Sequence, residues 1–171
     1  MEFKLLSQGS YGCVFKPGMS CENNNPTTKY ITKVQKQKEI SEKETIIGKE
    51  IKKIVQYEKY FAPIVNTCPI DLKKINNKEI TKCNFIDTNK IDKYESNQIL
   101  FVGNATLYSY IHDIINTKGF FKKLLNIYIS LLEGLQILYE KGGIIHLDIK
   151  ENDIVLSNQG KPRIIDFGLS Y

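Results

Sequence analysis

The residues of this chain best suited to chemistry lie between His146 and Gly168. One cluster reads His146-Leu147-Asp148-Ile149-Lys150-Glu151-Asn152-Asp153, and a second reads Arg163-Ile164-Ile165-Asp166-Phe167-Gly168. Between them, the apolar run Ile154-Val155-Leu156 and the turn signal Asn158-Gln159-Gly160 predict two short strands joined as a hairpin. Such a hairpin presents one acid before its first strand, Asp148, and one after its second, Asp166. Two carboxylates so placed suit phosphoryl transfer: one accepts the proton of an attacking hydroxyl while the other holds a divalent cation.

These acids need a scaffold, and the rest of the chain has the periodicities to build one. Residues 3–15 read as strand, glycine-containing turn, strand, with Ser7-Gln8-Gly9-Ser10-Tyr11-Gly12 at the turn. Gly9 and Gly12 would let backbone N–H groups approach phosphate oxygens closely, and the same pattern also serves a plain hairpin. Residues 17–28, rich in Gly, Pro, Asn and Ser, read as a loop. Residues 29–34 alternate as a strand carrying Lys33. Residues 39–57 repeat Ile40, Ile47, Ile51, Ile54 and Val55 at helical spacing. The polar stretch 71–97 reads as a strand pair joined by a mobile loop around 87–96, and residues 99–102 as a further strand. Gly103-Asn104-Ala105-Thr106 breaks the pattern, as a hinge between two lobes would. Residues 107–115 fit a short helix. From 120 to 141, Phe121, Leu124, Leu125, Tyr128, Leu131, Leu132, Leu135 and Leu138 predict a long helix whose apolar stripe is core, stopped at Gly142-Gly143.

Composition limits the partners. The 171 residues can bury one core or two small lobes. No apolar run reaches the roughly 18 residues of a membrane span, so no membrane partner is expected. The net charge of +5 comes from lysines, with Arg163 the only arginine. Base and phosphate recognition favours arginine's bidentate fork, so solvated lysine faces are the better reading and nucleic acid is not an expected partner. Cys13, Cys21, Cys68 and Cys83 form no Cys-x-x-Cys pair, and they read as reduced, unpaired thiols of a cytoplasmic protein without a metal site.

From Leu6 to Leu169 the sequence resembles the eukaryotic-type protein kinases, of serine/threonine type and in the lysine-rich style of the kinases of large nucleocytoplasmic DNA viruses. The resemblance implies an α+β fold, with a small antiparallel-sheet lobe bearing one helix over residues 1–102 and an incomplete helical lobe over 103–171. It implies ATP and Mg²⁺ as cofactors, a protein substrate, and a host-cytoplasmic or virion location. Gly9, Ser10, Tyr11 and Gly12 would cover the phosphates, with Val14, Ile31 and Val155 around the adenine. Lys33 would hold the α- and β-phosphates, paired with Glu44 or, as the rival, Glu50. Asp148 would be the catalytic base, Lys150 would steady the transferred phosphate, and Asp153 and Asp166 would ligate Mg²⁺. The chain departs from the family at Ser7, where a glycine is usual, at Leu147 for an arginine and at Asp153 for an asparagine. It also ends at Tyr171, just after Asp-Phe-Gly, without an activation segment. That ending implies a completing chain or partner protein, or, as the alternative, a non-catalytic module that binds nucleotide.

Overall fold

A computed structural model describes residues 2–9, 12–22, 25–36, 39–70, 72, 77–87, 89 and 94–171, with the side chains of 39–41 and 77 left aside. The chain divides into two units, Met1–Thr45 with Ile64–Phe101, and Ile46–Pro63 with Val102–Tyr171.

The first unit is built on a five-stranded antiparallel sheet of order β1-β2-β5-β7-β6. Its strands are β1 (Lys4–Gly9), β2 (Gly12–Lys16), β5 (Tyr30–Lys36), β6 (Ile64–Pro69) and β7 (Tyr94–Leu100). Alternation sorts the faces: Cys13, Phe15 and Val34 enter a core with Phe3, Met19, Leu72, Ile80, Cys83 and Tyr94. Val14 and Lys33, paired across β2 and β5, therefore point to the opposite face. The described residues of the 17–28 stretch include paired strands that its composition does not suggest. It forms a small ladder of β3 (Gly18–Met19) and β4 (Pro26–Thr27), anchored where the Thr32 hydroxyl accepts from the Met19 N–H at 2.8 Å.

Two expectations are corrected in this unit. Among the described residues, the 71–97 stretch shows one paired strand instead of two, and residues 88 and 90–93 of the expected loop lie outside the described residues. Its paired strand, β7, already starts at Tyr94, and the part before it carries the four-residue helix α2 (Asn77–Ile80). Leu72, Ile80, Cys83 and Ile86 fill the core beneath β1 and β2, a role that scattered apolar residues do not announce in a sequence. The cysteines are not unpaired thiols: Cys13 bonds Cys83 and Cys21 bonds Cys68, across sequence separations of 70 and 47. Spacing along the chain carries no sign of either bond, because each is closed by the fold and not by a local motif.

The second unit packs helices against a three-stranded sheet of order β10-β9-β8, with β8 (Ala105–Thr106), β9 (Ile154–Leu156) and β10 (Pro162–Ile164). The β9–β10 hairpin closes through Gly160, at φ +72°, whose N–H donates to the Ser157 carbonyl. At the other side of β9, an added Cβ on Gly103 would lie 1.9 Å from the Leu156 carbonyl oxygen, so only glycine lets the two backbones pass this closely. Thr106 caps α3 (Leu107–Ile114) by accepting from the Ser109 N–H. Helix α4 (Phe120–Gly142) ends at Gly143, at φ +64°. Its buried positions are Ile127, Leu131, Gly134 and Leu138, so the stripe is rotated from the expected one. Phe121, Leu125 and Leu132 are exposed, and Gly134 is buried because the Tyr60 ring lies against it. Helix α1 (Glu39–Ile51) begins in the first unit and ends in the second, where Ile51 and Ile54 join Phe61, Leu107, Leu138, Ile154 and Phe167 in the core. Each such large side chain contributes about 1.5–3 kcal/mol by leaving water.

Candidate active site

In the first unit the Lys33 ammonium meets the Glu44 carboxylate at 2.8 Å, with the two side chains 12 % and 2 % exposed. Strand alternation turns Lys33 away from the core, and the first turns of α1 bring Glu44 to meet it. Glu50, the rival, is occupied at the surface by Lys53. Val14 lies across from Lys33, and Ile31 precedes it by one strand repeat on the same face. Gly12 is forced to be glycine, since a Cβ there would sit 2.4 Å from the Val34 carbonyl oxygen. Gly9 meets nothing within 4 Å, so no close approach demands glycine at that position. Ser10 and Tyr11 lie outside the described residues.

In the second unit the two acidic clusters meet through the backbone. The Ile165 N–H donates to the Asp153 carbonyl at 2.9 Å, which ties the residue before Asp166 to the end of the loop that carries Asp148. His146, to which sequence reasoning gave no role, organises the loop. It is 2 % exposed, its Nδ1 accepts from the Asp148 N–H at 3.4 Å, and its Nε2 lies 2.9 Å from the Ile165 carbonyl. Only the tautomer protonated at Nε2 satisfies both contacts. The His146 ring packs on Phe167 at 4.9 Å between centroids, and Phe167 in turn meets the edge of Phe61 at 6.2 Å. The sequence signal for this stack was slight: a polar residue closing the apolar pair Ile144-Ile145. Leu147 and Asp166 hold the left-handed conformation, at φ +65° and +61°. Each costs of order 1–3 kcal/mol, which the surrounding contacts must offset, and each stands at or beside an acid of the site.

Lys150 joins the carboxylates, with its ammonium 2.6 Å from Asp148 Oδ2 and 3.1 Å from Asp153 Oδ2. Those two acids raise the Lys150 pKa above its ordinary value. Asp153 closes the short 3-10 turn Glu151–Asp153 and is 5 % exposed. Its buried Oδ2 has the Lys150 ammonium as its close polar neighbour. Burial raises the Asp153 pKa, against the lowering pull of Lys150, and the Asp166 and Asp148 charges add to the rise. Val155 follows in β9, half-buried and paired with Thr106 and Arg163.

Among the described residues, no three His, Cys, Asp or Glu side chains converge tightly enough to enclose a metal ion. Mg²⁺ takes one or two carboxylates and completes its octahedron with phosphate oxygens and water. The buried Asp153 carboxylate, with Asp166 close enough to affect its ionisation, is a donor set of the right hardness.

The protein kinase domain family matches this sequence over residues 2–171. The chain belongs to the protein kinase family. Its α+β fold, an antiparallel five-stranded sheet with helices α1 and α2 followed by a helical part, is the kinase-like one. This kinase is 30 % identical over 168 residues to MAP3K epsilon protein kinase 1 of Arabidopsis thaliana, covering 96 % of the chain and 10 % of that relative. It is 31 % identical over 103 residues to calmodulin-binding receptor-like cytoplasmic kinase 3 of the same plant, covering 58 % of the chain and 19 % of the relative. A probable serine/threonine-protein kinase of Dictyostelium discoideum is 47 % identical over 57 residues, 32 % of the chain and 5 % of that protein. The kinase chain thus spans less than a fifth of the length of each of these relatives.

Proposed function

We propose that this kinase domain transfers the γ-phosphate of ATP, taken as its Mg²⁺ complex, to a serine or threonine hydroxyl of a protein. The observation that carries the reading is Lys150, whose ammonium bridges the exposed Asp148 and the buried Asp153 at 2.6 and 3.1 Å. Asp148 is 42 % exposed at its side chain, so an acceptor hydroxyl can reach it and give up its proton there. Lys150 supplies a cation beside that proton acceptor, where charge gathers on the transferred group. The position of this lysine, two residues after Asp148, supports serine/threonine over tyrosine acceptors by family resemblance. Lys33, held rigidly by Glu44, would bind the phosphates, and Asp153 and Asp166 would hold Mg²⁺. The bound Mg²⁺–ATP supplies the phosphoryl group and part of the charge neutralisation; the protein supplies position.

The test is phosphoryl transfer to a mixed peptide library, read by phosphoamino-acid analysis, with Asp148→Asn in parallel. Phosphoserine or phosphothreonine formed by the parent chain, with a loss of at least about 10²-fold in Asp148→Asn, is the expected result. Phosphotyrosine alone would remove the serine/threonine assignment. A folded chain stabilised by Mg²⁺–ATP that labels no acceptor would instead be a nucleotide-binding module.

A further inference from the structure

The Cys13–Cys83 bond lies beside the nucleotide face without belonging to it. Cys13 follows Gly12 directly and pairs with Val34, while the next pair in the same ladder is Val14 with Lys33. The sulfur's strand position is therefore directly adjacent to the glycine forced by its close backbone approach and to the residue paired with Lys33. The other sulfur belongs to the connection between β6 and β7. That connection also holds β1, the first strand of the glycine hairpin. The Leu5 N–H donates to the Glu79 carboxylate at 2.9 Å, and the Gln8 side-chain oxygen accepts from the Asn84 N–H at 3.2 Å. Strand β1 needs this support: it is a sheet edge, paired only with β2, and nearly all its residues are exposed. The disulfide is the covalent member of the set of contacts fastening the hairpin to the connection.

We infer that Cys13–Cys83 is a thiol–disulfide exchange site that sets the affinity of the first unit for nucleotide. The inference rests on the nucleotide-binding reading proposed above. A dithiol reductant is the co-reactant. One of its thiolates attacks one sulfur of the bond, forming a mixed disulfide and releasing the other cysteine as a thiol. Its second thiol then closes a cyclic disulfide and frees the remaining cysteine, so two electrons pass to the protein. The β1–β2 hairpin then keeps its ladder but loses its covalent hold on the packed connection, so the described strand positions Gly9, Gly12 and Val14 are held less firmly beside Lys33 and the unit binds phosphates less tightly.

The two bonds of this unit should not react alike. Cys13 and Cys83 are 0 % and 2 % exposed, whereas Cys21 and Cys68 are both partly exposed. Attack on Cys13–Cys83 requires local opening, and attack on Cys21–Cys68 does not. Nucleotide that favours the closed hairpin must therefore protect the inner, buried bond, because coupling between two sites is reciprocal.

The experiment uses the whole 171-residue chain, oxidised and then graded with dithiothreitol. Bond states are mapped by alkylation and mass spectrometry, folding by circular dichroism, and Mg²⁺–ATP affinity by calorimetry well below the melting temperature. Affinity is expected to hold when only Cys21–Cys68 is open and to fall on the order of tenfold once Cys13–Cys83 opens, a size ordinary for coupled sites. Cys83→Ser should reproduce the fall, and Cys21→Ser should not. Saturating Mg²⁺–ATP should slow reduction of Cys13–Cys83 in the parent chain, a measurement that stands even where Cys83→Ser does not fold. Equal affinity of the folded oxidised and reduced chains, or no protection by nucleotide, overturns the inference while leaving nucleotide binding intact. An oxidised, folded chain that does not bind Mg²⁺–ATP overturns the nucleotide reading itself, and the inference with it.

Discussion

Replacing Lys33 by Met and Glu44 by Leu, singly and together, tests whether the pair in the first unit is what makes that unit a phosphate site. At 2.8 Å and an effective dielectric constant near 20, the attraction is about 6 kcal/mol before desolvation is counted. Both groups are largely out of water, so most of that gain offsets the cost of burying them. Removing one partner leaves the other as an uncompensated buried charge, which costs about 3–5 kcal/mol. Glu44→Leu should therefore lower the unfolding free energy by about 3 kcal/mol, and Lys33→Met by a similar amount. The double variant strands no charge, so its total cost should be well below that of either single change, a coupling of at least about 3 kcal/mol. Urea unfolding of the four proteins at equal ionic strength reads the cycle directly. Two single costs that add to within about 0.5 kcal/mol would refute the reasoning, since the residues would then act independently. In the same proteins, Mg²⁺–ATP should raise the melting temperature of the parent and leave that of Lys33→Met unmoved.

Asp153→Asn removes one negative charge beside Asp166 and should relax the Mg²⁺ dependence of ATP binding; a titration giving the same midpoint in both proteins would count against this. The same variant has a pH signature. The Asp153 pKa is raised above its ordinary 3.8, so the folded state holds a proton that the unfolded chain has already released. Stability should fall as pH rises through that interval. Asp153→Asn should flatten this slope and gain most at neutral pH, as measured by unfolding between pH 3 and 7. Gly103→Ala places a Cβ against the Leu156 carbonyl, where backbone meets backbone. It should cost about 1–3 kcal/mol or prevent folding of the second unit, checked by thermal unfolding.

Legibility in the sequence followed locality. The β9–β10 hairpin was readable because its turn residues and its apolar run are adjacent, and Gly160 takes the positive φ such a turn needs. The extent of α4 was readable from its period and its terminal glycines, but its phase was not. Apolar residues occur around most of that helix, so neighbours decide which are covered, and Tyr60 against Gly134 is one such decision. The two acids stood out by their places around the hairpin and Lys150 by family resemblance, whereas the His146 contacts depend on Ile165 and Phe167 brought back by the hairpin. The packing of Leu72, Ile80 and Cys83 beneath the sheet is set wholly by long-range contacts.

The two disulfides are nested, with Cys21–Cys68 lying inside the span of Cys13–Cys83. This gives the first unit a covalent topology distinct from its fold. A protease that cuts the backbone once anywhere between Cys21 and Cys68 produces two polypeptides that two sulfur bridges still join. Lys33 and Glu44 both lie in that interval, so a cut between them leaves the two partners of the ion pair on separate chains of one covalent body. Such a nicked molecule stays one covalent body, heavier than its parent by the single water that the cleavage adds, until it is reduced, and its strands can re-pair without having to find one another in solution. The oxidised unit is thereby prepared to survive a cleavage that would scatter its reduced form.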